Sequence, residues 1–259
     1  MLKKESYHKE LILVGGGHSH IEVLRRFRMR PEPGVRVTLI NPYPDAQYSG
    51  MLPGLIAGHY SEEDTNLDLF KLSQACGSRF IEDRVIRIDP GKKTVLCASR
   101  GEISFDVLSI NIGSQSPTPK NLEIEHGLGV KPIQTFQSRL KDVCDKIIIE
   151  GKPKRIAVVG AGAAGVEVIL ATKYRLEDSL NDTRHLTHSY FLVSSGKSIL
   201  SEQSGKTRQI CEKELKKNRI TLLSDFLVSN FERSTASTKD GRSITADVFL
   251  WATGAVGPA

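Results

Sequence analysis

The chain has 259 residues, a net charge of +6, 39% apolar and 25% charged residues, with 22 glycines and 11 prolines. That composition excludes a wholly disordered, collagen-like or coiled-coil chain and leaves one large or two small globular domains. The basic residues are scattered (Lys3-Lys4, Arg25-Arg26, Lys92-Lys93, Lys216-Lys217), which reads as a solvated surface. No nucleic-acid-binding pattern accompanies them, so no nucleic-acid partner is expected.

In chain order, Leu11–Val14 is a short apolar run that ends in Gly15-Gly16-Gly17. The spacing of Ile21, Leu24 and Phe27 predicts a helix over 18–30, ended by Pro31 and Pro33-Gly34. Val35–Ile40 reads as the next strand, and Asn41–Asp45 as a turn cluster. Residues 48–60 form a Gly- and Pro-punctuated stretch before a helix near 68–74. Strands at 84–88, 94–98 and 105–112, with turns at Asp89-Pro90-Gly91 and Arg100-Gly101, suggest an antiparallel excursion that feeds a buried strand. Pro117 and Pro119 mark a linker.

Leu140, Val143, Cys144, Ile147 and Ile148 then follow helical spacing. A second strand–glycine–helix unit begins at Arg155, with Gly160, Gly162 and Gly165. Strands at 191–194, 221–224, 230–233 and 248–251, a helix at 207–217 and an Asp240-Gly241 hairpin turn complete the pattern.

The two glycine units suggest an internal duplication. A Gly-x-Gly turn after a buried strand lets backbone N–H groups approach a pyrophosphate at the positive end of a helix. The bland alternative is a structural glycine turn. Gly160, Gly162 and Gly165 satisfy all three positions. In the first unit Gly15 and Gly17 are present but His20 stands where the third glycine is usual. His20 should therefore point away from the tight helix–strand contact, or the helix should shift. No carboxylate ends either following strand. Asn41 stands in the first, Ser194-Ser195 in the second, and Lys197 and Arg208 could attract a 2′-phosphate, which favours tolerance of NADPH.

The paired units, with Asp106–Ser114 and Asp247–Gly254, resemble the two-dinucleotide-domain flavoproteins: the pyridine nucleotide-disulfide oxidoreductases and type II NADH dehydrogenases. More narrowly, Val14–Leu24 and Tyr48–Gly54 resemble the oxidoreductase domain fused to selenide, water dikinase. The resemblance implies an α/β fold. Two Rossmann-like, three-layer β-β-α domains are expected, with the NAD(P) domain nested in the FAD domain. The implied division is 1–118 for FAD, 119–246 for NAD(P)H and 247–259 for the start of a returning FAD segment.

The resemblance also implies site residues. FAD would meet Gly15, Gly17 and His18 at its pyrophosphate, Asn41 near the adenosine ribose and Val85 by the adenine. Ser49, Gly50 and Pro53 would approach the flavin, and Gly113 and Ser114 would close over it. NAD(P)H would lie on Gly160, Gly162 and Gly165, with Ser194 at the end of the following strand. Glu167 would be the catalytic residue beside the nicotinamide–flavin stack; otherwise it is a surface helix glutamate.

The implied reaction is hydride transfer from NAD(P)H to flavin, then electron transfer to a quinone or another small acceptor. The alternative is a non-catalytic nucleotide-binding or redox-sensing module. Relatives continue past the Ala252-Thr253-Gly254 segment, so the sequence reads as C-terminally truncated.

Cys76, Cys97, Cys144 and Cys211 form no close pair, so disulfide relay is disfavoured. Wide cysteine spacing and a polar start suggest a cytoplasmic setting. With no apolar run long enough to span a bilayer, membrane contact would be peripheral. No metal site is expected: His18 with His20, and His185 with His188, lack further placed ligands. Trp251 reads as core.

Overall fold

The computed structural model describes residues 7–119, 127–178 and 187–258. Its elements run β1 (Lys9–Val14), α1 (His18–Met29), β2 (Val35–Asn41), β3 (Asp45–Gln47), a 3-10 turn (Ser49–Met51), α2 (Leu52–Ala57), α3 (Glu62–Thr65), β4 (Asn66–Asp68), α4 (Leu69–Ala75) and β5 (Arg79–Glu82). Then come β6 (Val85–Asp89), β7 (Thr94–Cys97), β8 (Gly101–Ser104) and β9 (Val107–Ile110). The rest comprises β10 (Gly127–Gly129), α5 (Ile133–Glu150), β11 (Arg155–Val159), α6 (Ala163–Asp178), β12 (Ser189–Val193), α7 (Gly205–Lys217), β13 (Ile220–Leu223), β14 (Asn230–Glu232), β15 (Thr235–Ser237), β16 (Ser243–Thr245) and β17 (Val248–Trp251).

Two compact units result. One comprises Met1–Tyr48 with Thr65–Gly113, the other Ser49–Asp64 with Ser114–Ala259. The first holds a parallel sheet of order β5-β2-β1-β9 and an antiparallel sheet β6-β7-β8; the second holds β10-β17-β11-β12-β13 and β14-β15-β16. Strand side chains alternate between faces, so each parallel sheet buries two cores. In the first unit Ile12, Val14 and Ile40 face the antiparallel sheet through Val95 and Cys97, while Leu13, Val37 and Leu39 face the helices through Leu24 and Leu69. In the second, Ala157, Val159, Phe249 and Trp251 meet Phe231, Ala236 and Ile244. On the other side Ile156, Val158, Leu192 and Leu250 meet Val168, Ile169, Cys144 and Leu215. Each unit is therefore the three-layer α/β sandwich that the resemblance implied.

Where the chain divides differs from the sequence reading. Ser49, Gly50 and Pro53 fall in the second unit, because Leu52 and Ile56 of α2 are buried in its helix-side core. Val248–Trp251 does not leave that unit: all four side chains are buried and the strand pairs with β11 and β10. Trp251 is core, stacked on Phe249 at 6.4 Å between ring centroids.

Candidate functional site

The duplication extends to individual hydrogen bonds. In the first unit Gly15 N–H donates to the Ile40 carbonyl at 2.8 Å and Asn111 N–H to the Val14 carbonyl at 2.8 Å. In the second, Gly160 N–H donates to Val193 at 2.9 Å and Ala252 N–H to Val159 at 2.8 Å. At the opposite strand ends, Glu10 N–H donates to the Asp106 carboxylate at 2.7 Å, and Arg155 N–H to the Asp247 carboxylate at 2.7 Å. Residues 106–113 and 247–254 thus play one role in both units: each lays a strand beside the strand that feeds its glycine turn.

These turns require glycine for steric reasons. Gly15 and Gly160 have φ of +92° and +112°, and a Cβ would lie 2.3 Å from the Asn111 carbonyl oxygen or 2.5 Å from that of Ala252. A Cβ at Gly17 would meet the Asn111 Oδ1 at 2.3 Å. Gly165 is tighter still: its Cβ would fall 1.8 Å from the Gly160 carbonyl oxygen, so α6 packs directly on the turn. A Cβ at Gly162 would meet nothing within 4 Å. That glycine leaves open space at the start of α6, where first-turn N–H groups lack intrahelical acceptors. Both turns place a tight glycine bend at the positive end of a helix, which suits the diphosphate of a dinucleotide, and in the second the approach over Gly162 is open as well.

The first cradle departs from the second at His20. Its imidazole is 1% exposed, so it points into the helix–strand contact rather than away from it. Nδ1 donates to the Gly15 carbonyl at 2.6 Å, which leaves Nε2 to accept from the Ser109 hydroxyl at 2.9 Å. Burial lowers its pKa, against the opposing pull of the Gly15 carbonyl.

The other expected site residues sort as follows. His18 is exposed in the first turn of α1, its ring 5.0 Å from that of Tyr48. Asn41 is buried; its Oδ1 accepts from Gly16 N–H at 2.8 Å and its Nδ2 donates to the Tyr43 carbonyl at 2.7 Å. One amide proton of Asn41 remains for another acceptor. Val85 opens β6, opposite Cys97. Gly113 is exposed with φ +76° and open space at its Cβ position.

In the second unit Ser49 and Gly50 are exposed in the 3-10 turn and Pro53 lies in the first turn of α2. Ser114 Oγ accepts from Lys131 Nζ at 3.0 Å. Glu167 is exposed one turn into α6. Ser194 is buried and turned into its own loop, donating to the Ser198 carbonyl at 3.2 Å. Beside that loop, Arg208 of α7 reaches the Ser198 hydroxyl at 3.5 Å, while Lys197 is exposed. Asn41 ends β2 and Ser194 follows β12, the equivalent strand, and both spend side-chain bonds on shaping the loop. Sequence spacing alone did not show this, because the Gly16 partner of Asn41 lies 25 positions away.

All four cysteines are free thiols, and burial pushes Cys144 up to about 11. Among the described residues no group of three His, Cys, Asp or Glu side chains could hold a metal, and no helix is long and apolar enough to cross a membrane. His188 Nδ1 accepts from Lys154 N–H at 3.1 Å; His185 lies outside the described residues.

Residues 9–258 match the profile of the pyridine nucleotide-disulphide oxidoreductases, and the chain belongs to that family. Ferroptosis suppressor protein 1 of Taeniopygia guttata is 26% identical over 192 residues, covering 69% of this chain and 46% of its own. The type II NADH:quinone oxidoreductase of Haemophilus influenzae is 24% identical over 287 residues, covering 95% and 64%. Curated relatives are thus spanned over roughly half to two thirds of their length. The structure of NDH2 from Plasmodium falciparum in complex with RYL-552 has the same fold. It gives a TM-score of 0.78 at 18% identity, over 96% of this chain and 55% of that one.

Proposed function

We propose that the chain carries the two dinucleotide cradles of an FAD-dependent NAD(P)H oxidoreductase, FAD on the first unit and NAD(P)H on the second, with a quinone or another small molecule as acceptor. The observation that carries this reading is the duplicated glycine turn with its matching strand-end hydrogen bonds. Relatives described as NADH:quinone and NAD(P)H-ubiquinone oxidoreductases support the choice of acceptor. Likeness of Val14–Leu24 and Tyr48–Gly54 to the oxidoreductase domain fused to selenide, water dikinase belongs to the same reading.

When bound, the flavin supplies the hydride and electron chemistry. The protein's part is to hold and orient. Gly15, Gly17 and the α1 N-terminus with His18 would take the FAD diphosphate; Gly160, Gly162 and Gly165 with the α6 N-terminus would take that of NAD(P)H. Asn41 offers its remaining amide proton to a ribose oxygen, with Val85 near the adenine. Ser49, Gly50, Pro53, Gly113 and Ser114 would border the isoalloxazine, and Glu167 the nicotinamide. Ser194 holds the loop that carries Lys197 beside Arg208 of α7, and these two charges would favour NADPH. Free thiols without a neighbouring cysteine leave no dithiol in the electron path. The setting proposed is cytoplasmic, with peripheral contact at a membrane where a quinone is the acceptor.

The test is anaerobic addition of NADPH to the chain equilibrated with FAD. Loss of the flavin's visible absorbance, and its return on adding a soluble quinone, is expected. Binding of both nucleotides without that bleaching would favour the non-catalytic sensing module. Arg208→Ala should weaken NADPH binding roughly tenfold while leaving NADH unchanged, as lost charge-assisted contact to a phosphate requires; equal losses for both would contradict the NADPH preference.

A further inference from the structure

The two units solve one packing problem in different ways. By spacing, His20 occupies the place of Gly165, five residues after the first glycine of its turn. In the second unit the backbone of α6 presses on the Gly160 carbonyl, where even a methyl group would lie 1.8 Å from the oxygen. In the first unit the equivalent carbonyl, that of Gly15, receives the His20 Nδ1 proton at 2.6 Å. The other ring nitrogen meets Ser109 on β9 at 2.9 Å. In the register of the duplicated segments Ser109 corresponds to Leu250, a fully buried core side chain. A polar residue therefore stands in the first unit at the position where the imidazole needs a partner.

We propose that His20 is a positioning residue. Its Nδ1–H bond to the Gly15 carbonyl, braced by Ser109, replaces the third glycine and fixes the turn that faces the FAD diphosphate. Gly15, Gly16 and Gly17 have their N–H groups tied to Ile40, Asn41 and Asn111, while the Gly15 carbonyl is held by the imidazole. With that carbonyl fixed, α1 stands at a set distance from β1, and the N–H groups of its first turn keep one direction.

The role in FAD binding rests on the function proposed above; the role in holding the turn does not. The test therefore has two arms on the full chain. Without ligand, amide hydrogen exchange is measured at residues 16–19 in wild type, His20→Gly, His20→Gln and His20→Asn, and imidazole nitrogen resonances report the tautomer. Asn carries its amide N–H where Nδ1 lies and should rescue; Gln extends beyond it and should not.

The expected result is an Nδ1–H tautomer in wild type. Exchange at 16–19 should be roughly tenfold faster in His20→Gly and His20→Gln, as loss of one buried hydrogen bond allows, and near wild type in His20→Asn. Residues 161–164 should be unaffected in all variants. With ligand, the FAD dissociation constant should follow the same order, with NADPH binding unchanged. Unaltered exchange in His20→Gly, or His20→Gln behaving as His20→Asn, overturns the proposal. Should global unfolding of His20→Gly obscure its exchange, the contrast between Gln and Asn decides. Failure of wild type to bind FAD overturns the proposed function and the FAD arm, while the exchange arm still decides whether His20 holds the turn.

Discussion

At the level of single residues, two glycines three positions apart should behave oppositely. Gly165→Ala puts a methyl against the Gly160 carbonyl oxygen, so backbone must move, and a loss of about 1–3 kcal/mol is expected in urea denaturation. Gly162→Ala meets open space and should leave stability unchanged while weakening NAD(P)H binding. Equal stability losses would contradict the role given to the open approach. The glycine turns were legible because turn chemistry is local. The direction of His20 was not: its choice depends on Ser109, 89 positions away, and only the fold brings them together. The loop-shaping bonds of Asn41 and Ser194 escaped the sequence for the same reason.

At the level of elements, hydrophobic period carried most of the reading. Apolar spacing located α1 and α5, and the strand pattern located β6, β7 and β14 of the antiparallel sheets but not β8, β15 or β16. Helix α2 is a different case, for its Gly- and Pro-punctuated stretch read as irregular. The helix forms because Pro53 sits in its first turn, where no N–H is needed, and Gly58 ends it in the left-handed region at φ +83°. Three-residue strands such as β3, β4 and β10 carry too little pattern to be read. Tertiary packing then decides strength. Phe136 of α5 is 1% exposed in the helix-side core, so Phe136→Ala should cost about 3–5 kcal/mol by chemical denaturation. Gly241 has φ +89° in the β15–β16 turn with open space at its Cβ position, so Gly241→Ala should cost about 1–2 kcal/mol from backbone strain alone.

At the level of the whole molecule, the repeated three-layer unit explains both the family match and the placement of the cradles. Each parallel sheet ends at its glycine turn, and each is roofed on one side by helices and on the other by an antiparallel sheet. Stability should depend on pH through two buried imidazoles. Burial lowers the pKa of both His20 and His188. An unfolded chain then binds more protons than the native one once pH drops below about 6.5, so stability should fall as pH decreases from there toward the folded-state values. Urea midpoints measured between about pH 7 and pH 5 check this, and His20→Asn should flatten part of the slope. A midpoint that rises on acidification would contradict it.

Two glycine turns built on the same plan should give the chain two separate dinucleotide sites. Equilibrium titration with FAD and NADPH, singly and together, tests it most directly when repeated on Gly17→Val and Gly162→Val. Two non-competing sites are expected: Gly17→Val should abolish only FAD binding and Gly162→Val only that of NADPH. A single shared site, or both ligands lost together in a folded variant, would contradict it.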